Sequence, residues 1–396
     1  MTGHLKLRDI NFITNSCPNV ISPCFTYIFD KSYKVPKASV YILLSYPDFF
    51  TRLKDYSTFF ELQCEHFLMT YDSFLSECMV GTSIYTTDYG IEIHFCGIST
   101  RISDVCTLYI NFIFNNQDES RYHLVYLQIE KKLISEKFAQ SYKRLFEKLK
   151  SLYIPGYQMP EELLDGIKSQ EILNVKQFNY KLYIIGNIEV NEGLKVEEAL
   201  KRHRQQVNAS EPQSNNKISK VVTVRTFDIS NNACGIFYYL NKSCDLRMKA
   251  IGSFIVNSVE EMFFDQLRTK EEFGYVVSAG IYTIKDDDFL YFVVQSDRNV
   301  EEIKERILRF ITFTKDYIKN MSEQEFLERQ ESLIDLFKEK RKNLYGYSFF
   351  LYSKYISGVD GLTFINDICN VIKKMELKDV LNCDIFSNEI IITTEK

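Results

Sequence analysis

The chain is 396 residues long, 45% hydrophobic, with 48 Lys and Arg against 53 Asp and Glu and a net charge of −5. That length suits two domains of ordinary size, and the charge offers no basic footprint for nucleic acid. No apolar run approaches the roughly 18–20 residues of a membrane span, and the first residues lack a signal-peptide core, so a cytoplasmic protein with no membrane partner is expected.

The first stretch, to about residue 36, reads as irregular and carries Pro18, Pro23 and Pro36. Residues 37–45, a β-branched and apolar run stopped by Pro47, predict a buried strand. A helix is expected from about Tyr56 to Cys78. Two strands follow over 83–97, turned at Thr87-Asp-Tyr-Gly90, with Ile91, Ile93 and Phe95 alternating with polar residues. Helices fill about 102–173, broken at Asn115-Asn116 and Pro155-Gly156, and 179–186 is a short apolar strand. The order strand, helix, hairpin, helices, strand makes an α+β unit over 1–205.

Residues 206–220 hold few apolar side chains and read as a linker. The order then repeats over 221–396. Strands are expected at 221–227 and 234–240, and a helix over 246–270 with Ile251, Phe254, Ile255, Val259, Met262, Phe263 and Leu267 on one stripe. A hairpin over 273–283 and 289–296 turns at Lys285-Asp-Asp-Asp288. Asn299 and Ser322 read as helix N-caps, the second with Glu325 as a full capping box, and 389–394 is the last strand. Two homologous two-layer α+β domains, each a mostly antiparallel sheet packed with helices, are inferred from this repeated order, since the residues themselves show no strong repeat.

Most chemistry is absent from the pattern. The five histidines (His4, His66, His94, His123 and His203) form neither His-Glu-x-x-His nor His-x-x-Glu-His, so no zinc site is expected in this chain. His94, on a strand, reads as a packing or hydrogen-bonding residue. The ten cysteines contain no Cys-x-x-Cys pair and read as reduced, mostly buried thiols. No Gly-x-Ser-x-Gly elbow or phosphate-binding loop occurs, and Lys338-Glu-Lys-Arg-Lys342 reads as a solvated helix face.

One stretch stands apart: Phe264-Asp-Gln-Leu-Arg-Thr-Lys-Glu-Glu-Phe-Gly-Tyr275, a helix end running into a strand. Arg268 falls outside the apolar stripe, and Tyr275 is expected to begin the strand, on one face with Val277 and Ala279. Such a pair suits a peptide carbonyl and the oxyanion that forms on attack by water. The alternative is that Arg268 meets the helix C-terminal dipole while Tyr275 simply packs.

Residues 267–277 (Leu-Arg-Thr-Lys-Glu-Glu-Phe-Gly-Tyr-Val-Val) resemble the signature of the C-terminal half of the insulin-degrading-enzyme (insulinase, pitrilysin) family of zinc metallopeptidases. Residues 11–13, 29–38, 183–187, 231–239 and 292–296 are similar to family segments in the same order. The resemblance implies that 1–205 is the family's third domain, without a zinc motif, and 221–396 its fourth. It implies that Arg268 and Tyr275 bind the substrate backbone and transition state, with Phe264 as a substrate-side neighbour. The chain starts where the third domain starts and stops early in the fourth, so the zinc-bearing N-terminal half is expected as a separate chain, and this one is expected to be inactive alone. A degenerate, catalytically inactive relative acting as a peptide-binding or scaffold protein is the alternative. Phe273 stands where many relatives have Leu, a change expected to be tolerated on a buried face.

Overall fold

The computed structural model describes residues 19–115, 122–165, 174–205 and 220–396; the segment 11–13 and the expected linker 206–220 lie outside them, except Lys220, which begins a strand. These residues form two compact units, each drawn from non-contiguous stretches.

Of the described residues the first unit takes 19–115, 122–132, 174–205 and 341–352. Its sheet has the order β1-β2-β6-β3-β5-β4 among the described residues. The strands are β1 (Asn19–Ser22), β2 (Phe25–Phe29), β3 (Lys37–Ser45), β4 (Val80–Thr87), β5 (Gly90–Ile98) and β6 (Asn179–Gly186). The region expected to be irregular thus supplies two strands. Phe25, Tyr27 and Phe29 alternate into the core, a signal that two flanking prolines and a run of only five residues obscured. One face packs on α1 (Leu53–Cys78), α2 (Ser99–Asn115) and α6 (Val190–His203), burying Val40, Ile42, Ile93, Phe95 and Ile184.

The opposite face is covered by residues 341–352, which reach into α10 (Leu344–Ile356). There Tyr41 stacks between Tyr352, at 4.2 Å, and His94, at 4.3 Å, and shares a hydrogen bond of 3.0 Å with Ser348. His94 is therefore the packing residue the sequence suggests. Burial pushes its imidazole pKa down to about 4.

The second unit takes residues 133–165, 220–340 and 353–396. Its sheet runs β7-β11-β8-β10-β9, built from β7 (Lys220–Arg225), β8 (Asn232–Lys242), β9 (Val276–Ile284), β10 (Asp287–Ser296) and β11 (Glu389–Glu395). Strand for strand this repeats β2-β6-β3-β5-β4. β11–β7 and β2–β6 are the parallel pairs and the other pairings are antiparallel. The duplication inferred from element order is present in the topology.

Helix α7 (Leu246–Phe264) starts at Asp245, whose carboxylate accepts from the Arg247 and Met248 amides, and lays Ile251, Phe254, Ile255, Val259 and Phe263 on the sheet. α8 (Val300–Lys319) and α9 (Glu323–Lys338) continue that layer. Ser322 caps α9, but the Glu325 carboxylate accepts the Tyr317 hydroxyl at 2.5 Å. α4 (Ser141–Tyr153) crosses the other face through Phe146 and Tyr153.

The hairpin turn is tighter than the sequence suggests. Only Lys285 and Asp286 turn, with Lys285 at φ +53°, while Asp287 and Asp288 lie buried in β10. Lys249 and Ser243 bind Asp288 at 2.6 and 2.8 Å, and Lys242 binds Asp287 at 2.9 Å. A hydrophilic run became strand because partners from β8 and α7 satisfy its charges.

Candidate functional site

The site is assembled where α7 ends. The helix does not stop at Phe264 but widens into a π turn, Asp265–Lys270, in which the Glu271 amide donates to the Gln266 carbonyl at 3.1 Å. π turns accumulate at functional sites because one extra residue rotates the following side chains out of the α register. Phe263 and Leu267 stay buried, while Phe264 and Arg268, four residues apart on the other side, face solvent.

The chain then reverses over residues 271–275. Glu272 takes φ +47°, unusual for a residue with a side chain. The Phe273 amide donates to the Leu267 carbonyl at 2.7 Å, and the Tyr275 amide to the Gln295 carbonyl at 2.8 Å. Ser296 donates to the Phe273 carbonyl at 2.6 Å. β9 begins at Val276, so Tyr275 is the residue before the strand rather than its first, and it is 61% exposed. Gly274 is required by close approach: a Cβ there would lie 2.9 Å from both the Gln295 carbonyl oxygen and Val294 Cγ1.

This path brings Arg268 and Tyr275 together. The Arg268 guanidinium carbon lies 5.7 Å from the Tyr275 ring centroid, and Nη1 donates to the Gly274 carbonyl at 2.9 Å. Arg268 therefore answers a loop carbonyl, not the last carbonyls of the helix as the dipole reading would have it. Both side chains and Phe264 line one cleft of about 840 Å³ with Thr269, Glu272, Phe273, Asp297 and Arg298. Phe273 is on the wall of that cleft under the Arg298 guanidinium, 5.6 Å away, and not on a buried face.

The sequence reading missed what holds the loop. Glu271 takes a two-armed ion pair from Arg306 on α8, at 2.5 and 2.7 Å, and accepts from Gln266 at 2.7 Å. Glu271 lay within the quoted motif, but nothing in the spacing pointed to an arginine 35 residues later. Among the described residues no three His, Cys, Asp or Glu side chains gather as a metal would require.

Residues 254–349 match the family model "PQQ synthase PqqF-like, C-terminal lobe domain 4", which spans the π turn and the loop. Insulin-degrading enzyme of Drosophila melanogaster is 21% identical over 66% of this chain and 29% of its own length. Insulin-degrading enzyme-like 2 of Arabidopsis thaliana is 23% identical over 69% of this chain and 31% of its own length. The putative zinc protease mug138 of Schizosaccharomyces pombe is 29% identical over 34% and 14%. The chain thus spans less than a third of the length of these curated relatives.

Among solved structures, pitrilysin superposes with a TM-score of 0.78 at 17% identity, over 95% of this chain and 43% of that one. A Helicobacter pylori protease gives 0.72 at 11% identity, over 97% and 100%. A peptidase M16 inactive domain from Pseudomonas fluorescens gives 0.68 at 10%, over 96% and 98%. These likenesses show the fold: two α+β domains of the kind found in M16 peptidases. With the family model and the curated relatives, they make the chain similar to the C-terminal half of the insulinase (M16) family.

Proposed function

We propose that this chain is the non-catalytic C-terminal half of an insulin-degrading-enzyme-like metalloendopeptidase, the half that grips the peptide. The observation that carries this is the placement of Arg268, Tyr275 and Phe264 on one cleft wall, within the family signature. The Arg268 guanidinium offers donors to a peptide carbonyl beyond the one it gives Gly274. The Tyr275 hydroxyl stands beside it as a donor to the oxyanion that develops when that carbonyl is attacked. Phe264, 49% exposed, supplies an apolar platform for a neighbouring side chain. Zinc and the base that activates water come from a zinc-bearing half supplied as a separate chain in the cytoplasm.

Purified alone, the chain should show no chelator-sensitive peptidase activity; such activity would overturn the proposal. Combined with a zinc-bearing half, turnover should appear, and Arg268→Ala should lower it by roughly ten- to a thousandfold. An unchanged rate would return Arg268 to a purely local role.

A second reading, a peptide-binding or scaffold protein with no catalytic partner, draws support from the likeness to a Pseudomonas fluorescens structure described as an inactive domain. It predicts that Arg268→Ala and Tyr275→Ala leave the biological activity intact.

A further inference from the structure

Arg268 and Tyr275 sit on opposite sides of the reversal at 271–275, so their separation depends on how that loop is held. The hydrogen bonds of its backbone run to the π turn on one side and to β10 on the other. None of them reaches the helix layer beyond. One side chain does. Glu271 Oε2 receives Arg306 Nε at 2.7 Å, Oε1 receives Arg306 Nη2 at 2.5 Å, and Oε1 also receives Gln266 Nε2 at 2.7 Å.

A single carboxylate thus ties α8, the π turn and the loop at one point. The pair is two-armed, and its side chains are only 19% and 28% exposed. Both features set it apart from a solvated surface pair, which contributes little. The Arg306 donors hold the Glu271 carboxyl below the usual carboxylate range, so the tie is charged at neutral pH. Its sequence neighbour Glu272 adopts φ +47°, a conformation that persists only where the surroundings over-determine it.

Glu271 does not line the cleft. We propose that Glu271, clamped by Arg306 and Gln266, is a positioning residue that fixes Arg268 against Tyr275 for the peptide. This rests on the peptide-binding reading for its purpose, but the geometry it claims is testable separately. Without the clamp the loop turns about Glu272, and Arg268 and Tyr275 no longer present one surface.

The test uses the full chain and its variants Glu271→Ala, Glu271→Gln, Arg306→Ala and Arg306→Lys. Amide exchange at Phe273 and Tyr275 reads the loop, with amides of α7 and the centre of β10 as internal controls for global stability. Glu271→Ala and Arg306→Ala should each speed the Tyr275 amide at least tenfold while the controls hold, and Arg306→Lys should recover part of the loss. An unchanged Tyr275 amide in Glu271→Ala would overturn the proposal. So would an equal acceleration of the controls, which would mark a merely structural pair.

The second arm measures affinity for oxidised insulin B chain by anisotropy. Glu271→Ala should weaken it about as much as Arg268→Ala, and the double variant should be no weaker than Arg268→Ala alone. Additive losses would overturn the positioning role. If the parent chain does not bind that peptide, the peptide-gripping reading falls, and the exchange arm still decides whether Glu271 holds the loop.

Discussion

Gly274 lies between Arg268 and Tyr275 in the chain and has no room for a methyl group. A Cβ would press on the Gln295 carbonyl, which is fixed because it already accepts the Tyr275 amide. Backbone cannot give way as a flexible side-chain tip can, so the strain has to go into the loop. Gly274→Ala is expected to cost about 1–3 kcal/mol and to speed exchange of the Tyr275 amide. A denaturant midpoint equal to that of the parent protein would show that the loop absorbs the methyl without moving. At this scale the sequence was informative about identity and silent about geometry. The conspicuous pair Arg268 and Tyr275 was legible because the arginine stood outside an apolar stripe and the tyrosine at the start of the strand that follows. The bond from Arg268 to the Gly274 carbonyl was not, because it needs a π turn and a positive φ at Glu272, and neither leaves a mark in residue type.

Elements were legible where their pattern was long. The continuous apolar runs of β3 and β6 form strands with the expected bounds, and the apolar stripe of α7 emerges although its α turns stop at Phe264 and the π turn carries the helix on to Lys270. Short or polar pieces were not: β2 has five residues, and the start of β10 is two aspartates whose cations come from elsewhere in the chain.

The same lesson applies to His94 on β5. Its neutral ring is buried against Tyr41 and faces Tyr345, with Glu92 two residues away on the same strand face. Burial holds the folded pKa near 4, below the ordinary histidine value of about 6.5. The unfolded chain therefore binds the extra proton first. The stabilisation is complete above about pH 6.5 and is lost progressively as pH falls toward 4, by up to about 3 kcal/mol. Glu92 works the other way: burial raises its carboxyl, so its cost is relieved in acid. Comparing the parent with His94→Phe isolates the histidine, since the ring stack is kept. The difference in unfolding free energy between the two should change by roughly 2–3 kcal/mol between pH 7 and pH 4.5. A difference independent of pH would contradict this assignment.

On the scale of the whole molecule, the repeated order of elements revealed a duplication, and strand order shows it without residue-level similarity. Reading the chain as two consecutive blocks did not reveal that each unit borrows a helix from beyond its own stretch. An amphipathic helix announces that it has a partner face but not which sheet supplies it. Residues 341–352 bury Tyr41, His94 and Tyr183 in the first unit, where Tyr352 stacks on Tyr41 and packs beside Tyr183. In the second, α4 covers Phe237, Phe289 and Tyr291 through Phe146 and Tyr153, and its Arg144, buried at 0% exposure, pairs with Glu161 at 2.5 Å. A cut in the segment 206–219 would leave each fragment with one sheet face stripped of its aromatic cover. Such a face exposes several large rings together, which a lone domain does not tolerate well. Fragments 1–205 and 220–396 made separately should bind a hydrophobic dye and lack a cooperative thermal transition. Co-expression should restore both a silent dye signal and a single complex, because each fragment carries the helix the other needs. Two independently folded, dye-silent fragments would mean that the borrowed helices are dispensable.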